Sequence, residues 1–404
     1  MLPAVQRWFA EQVYTPERYE RFRAALEQEV RCRIEFRVCE CPIFVSQSFR
    51  QTLERAAQEI VLQCTTQEYR RLSEEAIPAP YRVPQEPDRP LFSVVDFAVV
   101  GEPEGKWGLR LIELQGFPSL FGYQYFYARL AREIYELGEQ WGYTFSGLSD
   151  EAYWNILQRA ILGDHAPEEV VLVDYHPEQQ KTRPDFTALE RQLGIEAVHI
   201  GSLRKQGNRL YRRRCGRWVP IRRIFNRAIV DELEEHKVRL PFRWTEELDV
   251  EWAGHPNWYF RMSKFALPYL RHPTVPRAYR LSELSELPEH ADGYVLKPLF
   301  SFAGKGVILQ PTREYLEMIP EAERPFYVLQ ERVPYAPCVY TPVGMNHVEL
   351  RVMLVWLPEW EEPCPVMSLA RTGRAAMMGV RYNDMPWAGS SGCLFGEEGA
   401  EGKL

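Results

Sequence analysis

The sequence predicts an α/β protein assembled from α+β lobes, with a separate open α/β unit set into the middle of the chain. Three observations carry this. Strand and helix patterns alternate from Val170 to a helix opening near Ala228. A hairpin pattern precedes that unit, at Val94–Val100 and Trp107–Leu114, and strands mixed with short helices follow it from about Trp252. With 404 residues, 45% apolar and 26% charged, the chain has ordinary globular composition and length enough for two or three domains. The boundaries we draw are a helical region over 1–90, the hairpin segment over 91–150, the open α/β unit over 151–250, and a final lobe over 251–404.

Each element follows from a local pattern. Residues 15–35 and 47–76 carry apolar residues at helical spacing, with Thr15 and Ser46 or Ser48 as caps. The stretch between them, 36–44, reads as a short strand, and a proline-rich passage over 77–90 separates this region from the hairpin. A helix is expected over 123–141. Next come a strand at Val170–Asp174, a helix at Phe186–Leu193, a strand at Glu196–Ile200, a hairpin over Leu210–Val219 turning at Cys215-Gly216, and a strand at Ile221–Phe225. The last lobe is expected to hold a helix at Ser263–Leu270, strands at Tyr294–Pro298 and Val307–Gln310, a helix at Arg313–Met318, and strands at Tyr327–Val333 and Val348–Trp356.

Bulk properties exclude several classes of function. A net charge of −7 disfavours nonspecific nucleic-acid binding, which calls for a net basic surface. The first residues lack the basic flank and apolar run of a secretion signal, and no run of about 18 apolar residues suggests a membrane span. The eight cysteines are scattered, and Cys39 with Cys41 lacks a second pair at zinc-site spacing. Free thiols in a reducing cytoplasm are the expectation.

Two segments carry chemistry. In Tyr294–Leu309, Lys297 sits inside an apolar strand and is followed by the loop Ser301-Phe302-Ala303-Gly304-Lys305-Gly306. The loop is not a Walker A motif, because no glycine stands five positions before Gly304 and Lys305 precedes Gly306 instead of Ser or Thr. Nor is it a dinucleotide fingerprint, since Leu309 takes the third glycine position. A lysine in an apolar strand is costly to bury without an anion, and a glycine-bearing turn suits phosphates, so the pair points to nucleotide phosphates. The second segment places Asp96 on one strand and Glu113 and Gln115 on another, oxygen donors of the kind Mg²⁺ prefers. Downstream, Gln330 and Glu331 close a strand whose edge suits adenine and ribose. Glu349 and Arg351 share a strand face, as a salt bridge or as site residues, and Arg371 and Asn383 follow.

The ordered set of Lys264, Lys297, the 301–306 loop, the 327–333 edge and Glu349/Arg351 resembles the ATP-grasp superfamily, in which two α+β lobes clamp ATP. Family members carry their metal-binding Asp and Glu-x-Asn after the arginine strands. Here Asp96 and Glu113-Leu114-Gln115 match that set at the opposite end of the chain. The order is therefore similar to circularly permuted ATP-grasp proteins related to glutathionylspermidine synthase, with a pre-ATP-grasp α/β domain inserted in the middle. The resemblance covers the chain from about residue 90 onward. It implies that Lys264, Lys297, Ser301, Gly304, Lys305, Gly306, Gln330, Glu331 and Glu349 hold ATP. It further implies that Asp96, Glu113 and Gln115 hold Mg²⁺, with Gln115 standing where the family has Asn. Arg351 and Arg371 would be catalytic, and Asn226, Arg227 and Asn383 would face substrate. The neighbouring Arg212–Arg214 read as a solvated hairpin edge.

The resemblance implies ATP-dependent joining of a small-molecule or peptide carboxylate to an amine or thiol through an acyl phosphate. A kinase-like phosphotransferase and a nucleotide-binding pseudoenzyme are the alternatives. Asp96 and Glu113, as neighbouring acids, are expected to repel each other when no cation is bound, so that removing either relieves strain.

Overall fold

The computed structural model describes residues 1–299, 306–379 and 382–397. The amino-terminal helices follow their caps. α1 (Pro3–Trp8) runs on through a π turn, and α2 (Pro16–Val30) begins where Thr15 Oγ1 accepts the Arg18 N–H at 3.2 Å. It stops short of residue 35, because Arg31 adopts the left-handed conformation at φ 49°. The expected strand over 36–44 narrows to β1 (Ile43–Ser46). The expected helix over 47–76 divides into α3 (Gln47–Gln63) and α4 (Gln67–Leu72). Thr66 Oγ1 accepts the Tyr69 N–H and restarts the chain as a second cap.

β2 (Phe92–Gly101) and β3 (Trp107–Gln115) form the expected hairpin, turned by Glu104 and Gly105 at φ 62° and 73°. α5 (Phe121–Ile134) ends before residue 141, since Glu136 and Gly138 both take positive φ. After α6 (Asp150–Leu162) the middle unit opens with β4 (Val170–Asp174), α7 (Arg183–Leu193) and β5 (Glu196–His199). A small antiparallel sheet follows, β6 (Arg204–Gln206), β7 (Arg209–Arg214) and β8 (Arg217–Ile221). Its second turn places Cys215 and Gly216 at φ 46° and 79°, the paired positive values of a tight hairpin. β9 (Arg223–Asn226), α8 (Val230–Glu235) and β10 (Glu251–Ala253) complete a four-stranded parallel sheet ordered β10-β9-β4-β5.

Past α9 (Pro256–Arg261), the expected α-helix over Ser263–Leu270 is a 3₁₀ segment, Lys264–Tyr269, interrupted by Pro268, which has no N–H to give. β11 (Ala278–Arg280), β12 (Tyr294–Pro298), β13 (Ile308–Leu309), α10 (Arg313–Met318) and β14 (Tyr327–Glu331) build an antiparallel sheet ordered β11-β14-β12-β13. The chain ends with β15 (Val339–Thr341), β16 (Gly344–Val355), β17 (Cys364–Gly373), β18 (Gly389–Ser391) and β19 (Cys393–Gly396). β19 pairs in parallel with β1, tying the last described strand to the first.

The largest sheet is ordered β18-β17-β16-β2-β3, so the early hairpin lies against the late strands. Alternate residues of β2 and β16 face two cores. Val95, Phe97, Leu350 and Val352 pack toward α3, while Phe92, Val94, Met353 and Val355 pack toward α2 and α5. On that second face the period of two then reaches Asp96, Arg351 and Glu349, and the face changes from apolar to charged.

Candidate active site

Strand register builds the charged face. Arg351 lies opposite Asp96, Asp96 opposite Glu113, and Glu349 opposite Arg371. Arg351 meets Asp96 as a fork, Nε to Oδ1 and Nη2 to Oδ2, each at 2.6 Å, and Arg371 Nη2 reaches Oδ2 at 2.6 Å. Arg371 Nε lies 3.1 Å from Glu349 Oε2, an ion-pair distance without hydrogen-bond alignment. Tyr335 Oη donates to Glu349 Oε1. Burial opposes the charge on Asp96, yet the two guanidiniums hold its carboxyl well below the usual range. Burial raises Glu349, partly offset by Arg371, and Arg371 itself is held up by Asp96 and Glu349 against its own burial. The expectation that Asp96 is strained by like charge is corrected here, because two arginines from other strands answer it.

The lysines sit beside this face under different conditions. Lys297 Nζ donates to the Ile112 carbonyl at 2.8 Å and to Gln330 Oε1 at 2.6 Å, and Gln330 Nε2 donates to Leu111 O at 3.1 Å. These bonds fasten β12 and β14 to β3. Lys297 is 7% exposed, and burial lowers its ammonium to about 8, with Glu113 acting the other way. Lys264 is also buried and also lowered by burial, again offset by Glu113.

A cavity of about 940 Å³ joins these groups. Lys264, Lys297, Gln330 and Glu331 line it, as do Glu113, Gln115, Glu349, Arg351 and Arg371. In a chain of net charge −7, the described residues of its wall include seven Lys or Arg against three Glu. Such a wall, with an ammonium that among the described residues donates to neutral oxygens, fits the phosphates of ATP. The expected metal ligands are not equivalent. Both oxygens of Asp96 are engaged by arginine, and among the described residues no group of three His, Cys, Asp or Glu is set to hold an ion. Glu113 takes the Gln115 amide at 3.2 Å and lies 3.9 Å from Arg351. Glu113 therefore fits Mg²⁺ in its usual manner, one carboxylate supplemented by phosphate oxygens.

The other expected residues fall in different places. Gly306 is at φ 74° close to Pro298, whereas Ser301, Gly304 and Lys305 lie outside the described residues. Arg227 does not line the cavity. It is buried against Asp185 at 2.6 Å and between the Phe117 and Phe186 rings, while Asp185 accepts the Leu120, Gly122 and Tyr123 N–H groups at the start of α5. Asn226 is buried beside it, with Oδ1 lacking a partner. Asn383 stands behind the cavity, accepting Ala375 N–H and donating to the Met377 and Gly379 carbonyls. Arg212, expected on a solvated edge, is 1% exposed, paired with Glu196 and donating to Glu168 O at 3.0 Å. Sequence reasoning missed Tyr335, Lys181 and Arg374, all in the cavity wall. Only Arg374 had a local signal, three residues past Arg371.

No known protein family matches the chain. No curated protein matches it either. Among solved structures, it is similar to a glutathione synthetase-like effector from Globodera pallida in its apo form, with a TM-score of 0.63 at 12% identity over 96% of this chain and 99% of that one. The likeness is one of fold, a mixed α/β architecture with several sheets, and it spans nearly the whole length of both chains.

Proposed function

We propose that the chain is an ATP- and Mg²⁺-dependent ligase joining a carboxylate to an amine or thiol by way of an acyl phosphate. One observation carries the reading: Lys297 is buried in a cation-rich cavity, and among the described residues its ammonium donates to neutral oxygens, on a glutathione synthetase-like fold. We also read the chain as circularly permuted, because the hairpin bearing Asp96 and Glu113 joins the sheet of Arg351 and Arg371 from the other end of the sequence.

When bound, ATP supplies the phosphoryl group and Mg²⁺ offsets its charge. Lys297 and Lys264 hold phosphate oxygens, Glu331 at the end of β14 serves the ribose, and Glu113 presents a carboxylate to the metal. Arg371, fixed by Asp96 and Glu349, places a guanidinium where negative charge develops on the substrate, and Arg351 keeps Asp96 in position. No side-chain nucleophile is required, since positioning and electrostatics supply most of the effect.

The test is phosphate release from ATP and Mg²⁺ with pools of acids and amines. Release that needs both an acid and an amine supports the ligase. A stable phosphorylated product makes the protein a kinase. A pseudoenzyme is the second reading, favoured by the arginines that occupy both oxygens of Asp96; it requires ATP binding without turnover under every pool.

A further inference from the structure

The cavity extends beyond the groups that serve ATP. Away from β12 and β14 its wall is formed by Phe36, Phe117, Leu120, Met377 and Met378. Phe36 packs edge-on against Tyr123 at 5.3 Å, which sets this wall at the start of α5. Two further cations line the same cavity from separate elements. Lys181 lies in the loop between β4 and α7, is exposed, and makes no ion pair among the described residues. Arg374 follows β17 and donates to Asn346 Oδ1 at 2.7 Å and Pro386 O at 3.2 Å, both neutral acceptors. Arg351 and Arg371 differ, since Asp96 and Glu349 already answer their charge. The three acids of the described cavity wall, Glu113, Glu331 and Glu349, all stand on strands, β3, β14 and β16.

An apolar wall with two cations that have no carboxylate partner among the described residues selects an occupant of matching pattern. We infer that this end of the cavity takes an organic acid with an apolar body and a second anionic group, which Lys181 and Arg374 receive while the reacting carboxylate faces Arg371. The inference rests on the ligase reading for the role of the acid, and on the cavity alone for its chemical class. A volume near the upper end of the usual range for ligand sites leaves room for such an acid beside a nucleotide. Asn383 is a positioning residue in this scheme, because its three hydrogen bonds shape the turn that carries Met377 and Met378.

The experiment is calorimetry on the full chain, with Mg²⁺ and a non-hydrolysable ATP analogue present throughout. Adipate and suberate are titrated against hexanoate and octanoate. The diacid of each length should bind at least about tenfold tighter than its monoacid partner, as expected for one added charge-assisted contact. Arg374→Ala and Lys181→Ala should each remove most of that preference while leaving affinity for the ATP analogue within about twofold. Arg374→Lys, which keeps the charge, should retain it and controls for a folding defect. Equal binding of both series, or binding by neither, overturns the inference. The ligase reading fails separately, when diacid and amine together leave phosphate release at the rate of ATP alone even though the diacid binds.

Discussion

Two buried charges, Lys297 in the cavity wall and Asp96 behind it on the arginine sheet, are treated in opposite ways. Asp96, 1% exposed, is met by two guanidiniums with three contacts of 2.6 Å. Lys297, 7% exposed, is met by a carbonyl and an amide oxygen. The first is electrostatically complete as it stands. The second has no counter-ion in contact among the described residues, and its ammonium is lowered to about 8 as a result of burial. The difference separates a group that holds the site together from one that is ready to receive something.

The largest effect expected from this contrast is on stability. Asp96→Asn leaves Arg351 and Arg371 short of their partner inside the sheet, so it should cost about 3–5 kcal/mol in denaturant unfolding. A loss under about 1 kcal/mol would mean that the arginines find other partners and that Asp96 is not the anchor. Glu113→Gln should act the other way round. Glu113 lies 3.9 Å from Arg351 and is one-quarter exposed, so stability should change by less than about 1 kcal/mol. Turnover, measured as phosphate release at saturating ATP, should fall by roughly 10²-fold or more if Glu113 bears the metal.

A smaller effect tests Lys297 through pH. Its folded value of about 8 lies below the ordinary lysine value of 10.5. Between those two the unfolded chain binds more protons than the folded one, so stability rises with pH across that window; the cost of the buried charge is fully present below about 8. The full difference is on the order of 3 kcal/mol. Lys297→Met should flatten the rise when wild type and variant are compared from pH 7.5 to 9.5. Parallel curves would show that Lys297 carries no such cost.

What the sequence made legible follows from range. The strand of Lys297, the Cys215-Gly216 turn and the shared face of Glu349 and Arg351 depend on neighbours within a few residues, and the structure has all of them. Pairing of Asp96 with Arg351 joins residues 255 apart and depends on which strands become neighbours, which no local pattern encodes. For that reason Asp96 read as an acid awaiting a metal. Arg227 was opaque for a related reason: its partner Asp185 sits 42 residues earlier, inside α7, where it looks like any acid in a first helical turn. Lys181 carries no motif at all. Its position in the cavity wall follows from the docking of α7 on the start of α5, where Asp185 accepts the Leu120, Gly122 and Tyr123 N–H groups.

The most direct test of the central claim pairs two readings on one variant, Lys297→Met: affinity for ATP with Mg²⁺ by calorimetry, and the melting temperature without nucleotide. A lysine that awaits phosphate predicts that ATP affinity falls at least about tenfold, while the melting temperature at pH 7 stays level or rises as the buried charge is removed. Unchanged ATP affinity together with a melting temperature several degrees lower would contradict it, and would make Lys297 a structural tie between β12 and β3.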